Sequence, residues 1–119
     1  MASTEASNTP SATPAETTSA LYPGLGGRWL VRTRRSSHVW DLDASTYQRL
    51  PGSTAKRMPH DGRELRITRV TAWPAVGRSA LVFFDDPHLD ALEHWRQCST
   101  IQSITRLAPG EPSEDQPQR

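Results

Sequence analysis

Four histidines and one cysteine are the residues of this chain that could bind a transition metal. His88 and His94 are six positions apart, a spacing that puts them on nearly opposite sides of a helix. His38 and His60 lie far from them in the sequence, and the single Cys98 completes no zinc-binding pattern. The sequence therefore predicts no metal site and no cofactor, and we interpret the histidines as ordinary surface residues.

Asp85 and Asp86 form an adjacent carboxylate pair, a combination that could serve acid–base catalysis or bind Mg²⁺. Neighbouring strand residues point to opposite faces, so the two carboxylates are poorly placed to act together. Asp86 followed by Pro87 also has the pattern of a helix N-cap, and Ser99 belongs to no G-x-S-x-G motif. We therefore expect no catalytic residue, and an enzyme is the least favoured of three functional hypotheses.

The apolar run at residues 79–84 is the stretch around which the remaining elements must pack. Because turn residues bound it, it predicts a strand that is buried on both faces or nearly so. Earlier in the chain, alternating apolar and polar residues predict a β-hairpin from 28–34 and 38–43 and a third strand at 46–50. Trp29 and Trp40 have inward parity in this hairpin, so we expect both in the core.

The pattern at residues 64–73 changes phase in its middle, which fits either a strand with a β-bulge or a short helical turn. Apolar residues spaced by three predict a short helix over 89–95, capped by Asp86. Residues 101–107 predict a final strand that could close the sheet. The fold class is therefore mainly β, a small barrel or sandwich of five or six strands with one short helix.

Composition divides the chain into three parts. Residues 1–20 are rich in Ser, Thr and Pro and residues 109–119 in Pro and charged groups, so we expect both segments to be disordered tails. Residues 21–108 then form one small β domain. With one cysteine an intramolecular disulfide is impossible. No apolar stretch approaches the roughly 18 residues of a membrane-spanning helix, and the N-terminus lacks the apolar segment of a signal peptide.

The net charge of +1 hides an uneven distribution. Residues 28–78 contain eleven basic and four acidic residues, a formal charge of +7, whereas residues 79–108 carry −2. Clustered arginines can solvate strands or bind anions, and tryptophan beside arginine is the usual composition of a binding hot spot. The predicted partner-binding residues are Arg32, Arg34, Arg35, Lys56, Arg57, Arg63, Arg66, Arg69, Trp73 and Trp95.

Four short patterns carry a family resemblance. They are Trp29-x-Val31-x-Thr33, His38-x-Trp40-x-Leu42-Asp43, Arg49-x-Pro51-Gly52 and Ser99-Thr100-x-x-Ser103-Ile104. In this arrangement the chain resembles short uncharacterised mainly-β proteins of GC-rich actinobacteria and their phages. The resemblance implies an origin and a mainly β fold, and it assigns no activity and no site residues. The use of a single lysine among fourteen basic residues is also typical of a GC-rich genome.

These observations favour a non-catalytic interaction module, a phage or accessory protein that docks on a protein partner or within an assembly. The alternative is a nucleic-acid-binding module that uses the basic segment. We expect no membrane association and a cytoplasmic location, in the host cytoplasm or the virion if the protein is phage-encoded. The identity of the partner and the oligomeric state stay open.

Overall fold

A computed structural model describes residues 16–88 and 92–108. The strands in this part of the chain are β1 (Arg28–Thr33), β2 (Ser36–Asp41), β3 (Thr46–Pro51), β4 (Leu65–Ala72), β5 (Leu81–Asp85), β6 (Glu93–Gln97) and β7 (Ile101–Leu107). They form one antiparallel sheet in the order β6-β5-β4-β3-β2-β1-β7. Each strand from β1 to β5 pairs with the next one in the chain, whereas β7 returns to pair with β1.

The mainly β prediction is confirmed, and the described residues contain no helix. The sheet is open, because β6 and β7 form its two edges and do not pair with each other. A closed barrel is therefore not confirmed. No helix within the described ranges is long and apolar enough to cross a membrane.

The main core lies on one face of the sheet, where the alternation of each strand collects its large apolar side chains. Trp29 and Trp40 face each other across β1 and β2, and Tyr47 and Phe84 continue the packing across β3 and β5. The rings of Trp40 and Tyr47 meet edge to face, with centroids 5.6 Å apart. The prediction that both tryptophans of the first hairpin belong to the core is confirmed.

A second, smaller cluster lies on the opposite face of the sheet. It consists of Leu30, Val39, Leu50 and Leu107, all buried. Because both faces are covered there, the four central residues of β2 and of β3 are buried without alternation.

The predicted central strand is the element that the structure corrects. β5 lies next to an edge of the sheet, and its burial alternates, with Val82 and Phe84 buried and Leu81 and Phe83 half-buried. The prediction that residues 79–84 form a strand buried on both faces, or nearly so, is therefore met only on the face of Val82 and Phe84. A continuous apolar run is compatible with one exposed face, since side-chain type alone does not tell which face a second layer covers.

The helix expected over 89–95 is not confirmed. Residues Glu93–Gln97 form strand β6, which pairs along its whole length with β5, and positions 89–91 lie outside the described residues. Oδ1 of Asp86 accepts a hydrogen bond of 2.7 Å from the backbone N–H of His88, inside the β5–β6 loop. Pairing with β5 decides the conformation of a segment whose apolar spacing is helical.

The phase change in residues 64–73 belongs to a strand. β4 pairs with β5 with register shifts between Ile67 and Arg69 and again between Val70 and Ala72. The bulged strand is therefore the correct member of the two predicted alternatives.

Residues 16–20, which the sequence assigns to the N-terminal tail, take part in the backbone pairing. Thr17 bridges Thr105 of β7, and Ala20 bridges Ala75. The backbone N–H of Thr18 donates to Ile104 at 3.1 Å. The rest of this predicted disordered tail and all of residues 109–119 lie outside the described residues.

Candidate functional site

A buried ionic cluster connects the loop between β3 and β4 to the sheet. Arg49 of β3 donates from Nη1 to Oδ2 of Asp61 at 2.7 Å, and Nη1 of Arg96 on β6 lies 3.6 Å from Oδ1 of the same carboxylate. The side chains of Asp61 and Arg96 are 10 % and 5 % exposed. Arg96 also donates from Nη2 to the carbonyl of Pro59 at 2.7 Å. Two strands thus hold this loop through charge-assisted hydrogen bonds.

His60 lies between the two residues that this cluster fixes. Its backbone has a φ of 67°, in the left-handed region that non-glycine residues rarely adopt. The neighbours Pro59 and Asp61 are bonded to the buried arginines, so the surrounding structure maintains this conformation. The ring of His60 meets Phe84 edge to face at 6.3 Å and lies 5.3 Å from the ring of His94.

His60, Asp86 and His94 form a compact group of three potential ligands. One ligand atom of each lies within 4.8 Å of the other two. Nε2 of His94 and Oδ2 of Asp86 are hydrogen-bonded at 2.7 Å. His94 is on the same face of β6 as Arg96, and Asp86 follows β5 directly, so the β5–β6 pairing brings these two together.

A buried histidine lies deeper in the same face. His38 Nδ1 and the hydroxyl of Tyr47 are hydrogen-bonded at 2.9 Å, and Nε2 is hydrogen-bonded to Oγ of Ser36 at the same distance. Burial, followed by the positive charges of Arg49 and Arg96, lowers the pKa of His38 to about 3. Burial also raises the pKa of Tyr47. His38 is thus a neutral core residue rather than a surface histidine.

The basic residues predicted to bind a partner fall into separate groups. Arg66 is paired with Asp85, and Arg69 with Glu93 at 3.3 Å. Arg63 is hydrogen-bonded to His88 at 3.2 Å. Asp85 and Glu93 thus neutralise the two arginines of β4, and His88 is hydrogen-bonded to the arginine that precedes this strand. Lys56 and Arg57 are exposed in the loop that follows β3.

The other group consists of Arg32, Arg34 and Arg35, which line a polar pocket of about 230 Å³ at the β1–β2 turn. Its lining residues are Arg32, Thr33, Arg34, Arg35, Ser36, Ser37, Gly52, Ser53 and Thr54. Ser36 pairs with Pro51 at the end of β3, whereas Arg66 pairs with Thr46 at its start. The two arginine groups are therefore separated by roughly 17 Å, the length of strand β3.

The outer side of β4, β5 and β6 carries an aromatic and charged surface, which we call the Trp95 face. It consists of Thr68, Arg69, Phe83, Glu93 and Trp95. Trp95 is 61 % exposed and stands opposite Phe83, whose ring centroid lies 3.8 Å from the guanidinium carbon of Arg69. Hydrogen bonds from Thr68 and Arg69 lower the pKa of Glu93. Its ion pair with Arg69 fixes the charged rim of the face.

A cavity of about 290 Å³ adjoins the Trp95 face and shares Thr68 and Arg69 with it. Its other lining residues are Tyr22, Gly24, Leu42, Ser45, Ile67, Val70 and Trp73. Trp73 is half-buried against the core, with its ring 6.2 Å from Trp40, so it presents one side to this cavity. The two tryptophans predicted to bind a partner are therefore on different parts of the surface, since Trp73 lines this cavity and Trp95 does not.

The two edges of the sheet differ in how they are covered. Beside β7, Glu16 and Thr18 make backbone hydrogen bonds with Arg106 and Ile104. Beside β6, no described segment pairs with the outer edge. An open edge strand is an available template for another strand.

Comparison with protein-family models, with curated proteins and with solved structures finds no match for this chain.

The sequence missed the group of His60, Asp86 and His94. The spacing of His88 and His94 separates their side chains on a helix, whereas His94 lies on a strand. His60 comes from a distant loop, and its distance from Asp86 along the chain gives no signal of the approach. Glu93–Gln97 contains four polar residues and a single tryptophan, so no apolar alternation marks this segment as a strand.

Proposed function

We propose that the protein is a non-catalytic binding module that takes up an extended segment of a partner protein at the β6 edge. The observation that carries this proposal is the exposed Trp95 on an edge strand without a described neighbour. Arginine and aromatic residues beside it provide the composition of an interaction hot spot.

The backbone of β6 is arranged to accept a further strand. The N–H of Cys98 donates to Ala80 at 3.1 Å and that of Asp86 to Leu92 at 2.9 Å, so the even-numbered residues exchange hydrogen bonds with β5. In an antiparallel pair the intervening residues direct their N–H and C=O groups away. Glu93, Trp95 and Gln97 therefore offer backbone donors and acceptors to the open side, the groups that strand addition uses.

The Trp95 face supplies selectivity. An extended peptide on β6 would cover Trp95, and its alternate side chains would lie on the side of the sheet that carries Phe83 and Arg69. A ligand of this kind is an extended segment with large apolar side chains. Because alternate side chains of an added strand face the sheet, pockets along one face can select its sequence.

The proposal also covers the curvature of the sheet and the biological setting of the protein. We infer that the sheet is curved into a partly open barrel, since the N–H of Gly77 donates to Ile101 and that of Ile101 to Arg78, both at 2.8 Å, across the gap beside β5. We also retain the hypothesis of a phage or accessory protein that acts in the cytoplasm or in a virion, on the basis of the sequence resemblance.

The test is selection of peptides from a random display library on the immobilised full chain, followed by anisotropy measurements with the selected peptides. Trp95→Ala is expected to weaken binding by about 30-fold or more, the effect of losing a hot-spot residue of about 2 kcal/mol. Gln97→Pro removes one outward N–H without removing a bond to β5, so it is expected to weaken binding as well.

Matched controls separate edge binding from general damage. Gln97→Ala keeps the backbone N–H, and Tyr22→Ala removes another exposed aromatic; Gln97→Ala should leave binding unchanged, and Tyr22→Ala should reduce it less than Trp95→Ala. Peptides that bind equally well to the Gln97→Pro variant would contradict strand addition. A concentration-dependent dimer that Trp95→Ala abolishes, seen in sedimentation equilibrium, would show that the occupant of the edge is a second copy of this chain.

A nucleic-acid-binding module is the second candidate function. The observation that favours it is the polar pocket at the β1–β2 turn, where Arg34 and Arg35 adjoin serine and threonine hydroxyls. Guanidinium and hydroxyl donors are the groups that contact phosphate oxygens.

Anisotropy titrations with short mixed-sequence DNA and RNA at low and high salt test this candidate. A logarithm of affinity that falls linearly with the logarithm of salt concentration is the expected result, and changing both Arg34 and Arg35 to Ala should reduce the slope by about two. Arg78→Ala, an exposed arginine elsewhere, is the control. Absence of binding at low salt would remove this candidate.

A further inference from the structure

We propose that His60, Asp86 and His94 bind a zinc ion, with His60 supplied by the β3–β4 loop, Asp86 by the end of β5 and His94 by β6. Two imidazoles and one carboxylate are a ligand set that Zn²⁺ accepts in proteins. This site is separate from the Trp95 face, because His94 and Trp95 point to opposite faces of β6.

The separations are close to those that zinc requires. In a tetrahedral site with bonds of about 2.1 Å, ligand atoms are about 3.4 Å apart. Here one atom from each residue lies within 4.8 Å of the others, and Nε2 of His94 and Oδ2 of Asp86 are 2.7 Å apart. Binding therefore replaces one hydrogen bond, lengthens that contact to about 3.4 Å and shortens the other separations by at most about 1.4 Å, changes within the range of side-chain rotation.

The surrounding structure positions the ligands before metal arrives. Asp86 is oriented by the bond from the backbone N–H of His88 to its Oδ1, which leaves Oδ2 directed at His94. His60 has its two neighbours fixed by Arg49 and Arg96. Outer contacts of this kind orient metal ligands and raise affinity.

The apolar and charged residues around the three ligands are also compatible with a bound zinc ion. Phe84 packs against both imidazoles, at 6.3 Å from His60 and 5.8 Å from His94, and reduces access of water from one side. The positive charge of Arg96 is offset by Asp61 at 3.6 Å. Three protein ligands leave the fourth position of a tetrahedral ion for water or an exogenous ligand.

The experiment is an isothermal titration of Zn²⁺ into the untagged full chain after removal of metal with a chelator. The expected result is one zinc ion per chain, with no comparable binding of Mg²⁺, which prefers oxygen ligands. His60→Ala, His94→Ala and Asp86→Asn are each expected to weaken binding by about 100-fold or more, beyond the 10- to 100-fold cost of losing an outer contact.

His88→Ala is the matched control, because His88 is exposed and next to Asp86 but outside the group of three. It should bind zinc as the wild type does. Thermal unfolding of each metal-free variant verifies that it is folded, and zinc should raise the melting temperature only of the wild type and the control. Wild-type protein that shows no saturable binding, or a His88→Ala variant that loses binding as fully as His60→Ala, would overturn the assignment.

Discussion

His38 is a titratable side chain held in the interior of the sheet. Both of its ring nitrogens are hydrogen-bonded, to Tyr47 and Ser36. The unfolded chain gives it a pKa of 6.5, and burial with the nearby charges of Arg49 and Arg96 lowers the folded pKa to about 3. Asp61 opposes this shift in part. Between these pH values the unfolded state therefore binds one proton more than the folded state.

The consequence is a loss of stability in acid. The contribution of His38 is fully present above about pH 6.5 and falls as the pH decreases towards 3, with a slope approaching about 1.4 kcal/mol per pH unit. In His38→Gln this part of the slope should disappear, whatever the change in stability at neutral pH. Urea unfolding measured from pH 7 to pH 4 tests the prediction.

His88→Gln is the control, because it removes an exposed histidine and leaves His38 and its hydrogen-bond partners in place, so the acid slope due to His38 should persist. Equal slopes for His38→Gln and the wild type would show that His38 can be protonated in the folded protein.

The β3–β4 loop is the element whose position depends most on buried charge. Asp61 accepts from the backbone N–H of Met58 and from Arg49, and it lies close to Arg96. Removing one charged residue of a buried ionic group leaves the remaining charges without a partner of opposite sign. The resulting loss of stability is larger than the stability that the intact group contributes.

Asp61→Asn is therefore expected to lower the free energy of unfolding by about 3 to 5 kcal/mol. Glu16→Gln, in the exposed pair with Arg106, should cost less than about 1 kcal/mol. Chemical denaturation of the two variants and the wild type compares these values. Costs of similar size would mean that the buried cluster does not hold the loop.

The sheet of this molecule is completed by β7, a strand that lies far along the chain from its partner β1. β7 pairs with β1, and Ile104, which is 1 % exposed, faces Val31 of β1. The end of the described chain thereby completes the core that the first hairpin begins.

Ile104→Ala should destabilise the protein by about 2 to 5 kcal/mol, because the core around β1 cannot collapse into the space that the side chain leaves. Gln102→Ala, at an exposed position of the same strand, should change stability by less than about 0.5 kcal/mol. The measurement is again equilibrium unfolding in urea. A small effect of Ile104→Ala would show that β7 is not essential to the core.

Much of the strand content followed from local pattern. Alternation placed the first hairpin and the third strand, and it put Trp29 and Trp40 in the core; the final strand, Ile101–Leu107, was predicted with the bounds it has. These predictions succeed because a strand that buries one face must alternate, whatever its neighbours are.

The sequence by itself determined the mainly β class and the core positions of Trp29 and Trp40, since both depend on side-chain types at period two. The tertiary structure decided three other properties: that residues Glu93–Gln97 form an edge strand, that β2 and β3 are covered on both faces, and that His60 lies beside His94. Each depends on which distant segments meet. Strand pairing and loop position are set by the free energy of the whole fold, so local spacing does not encode them.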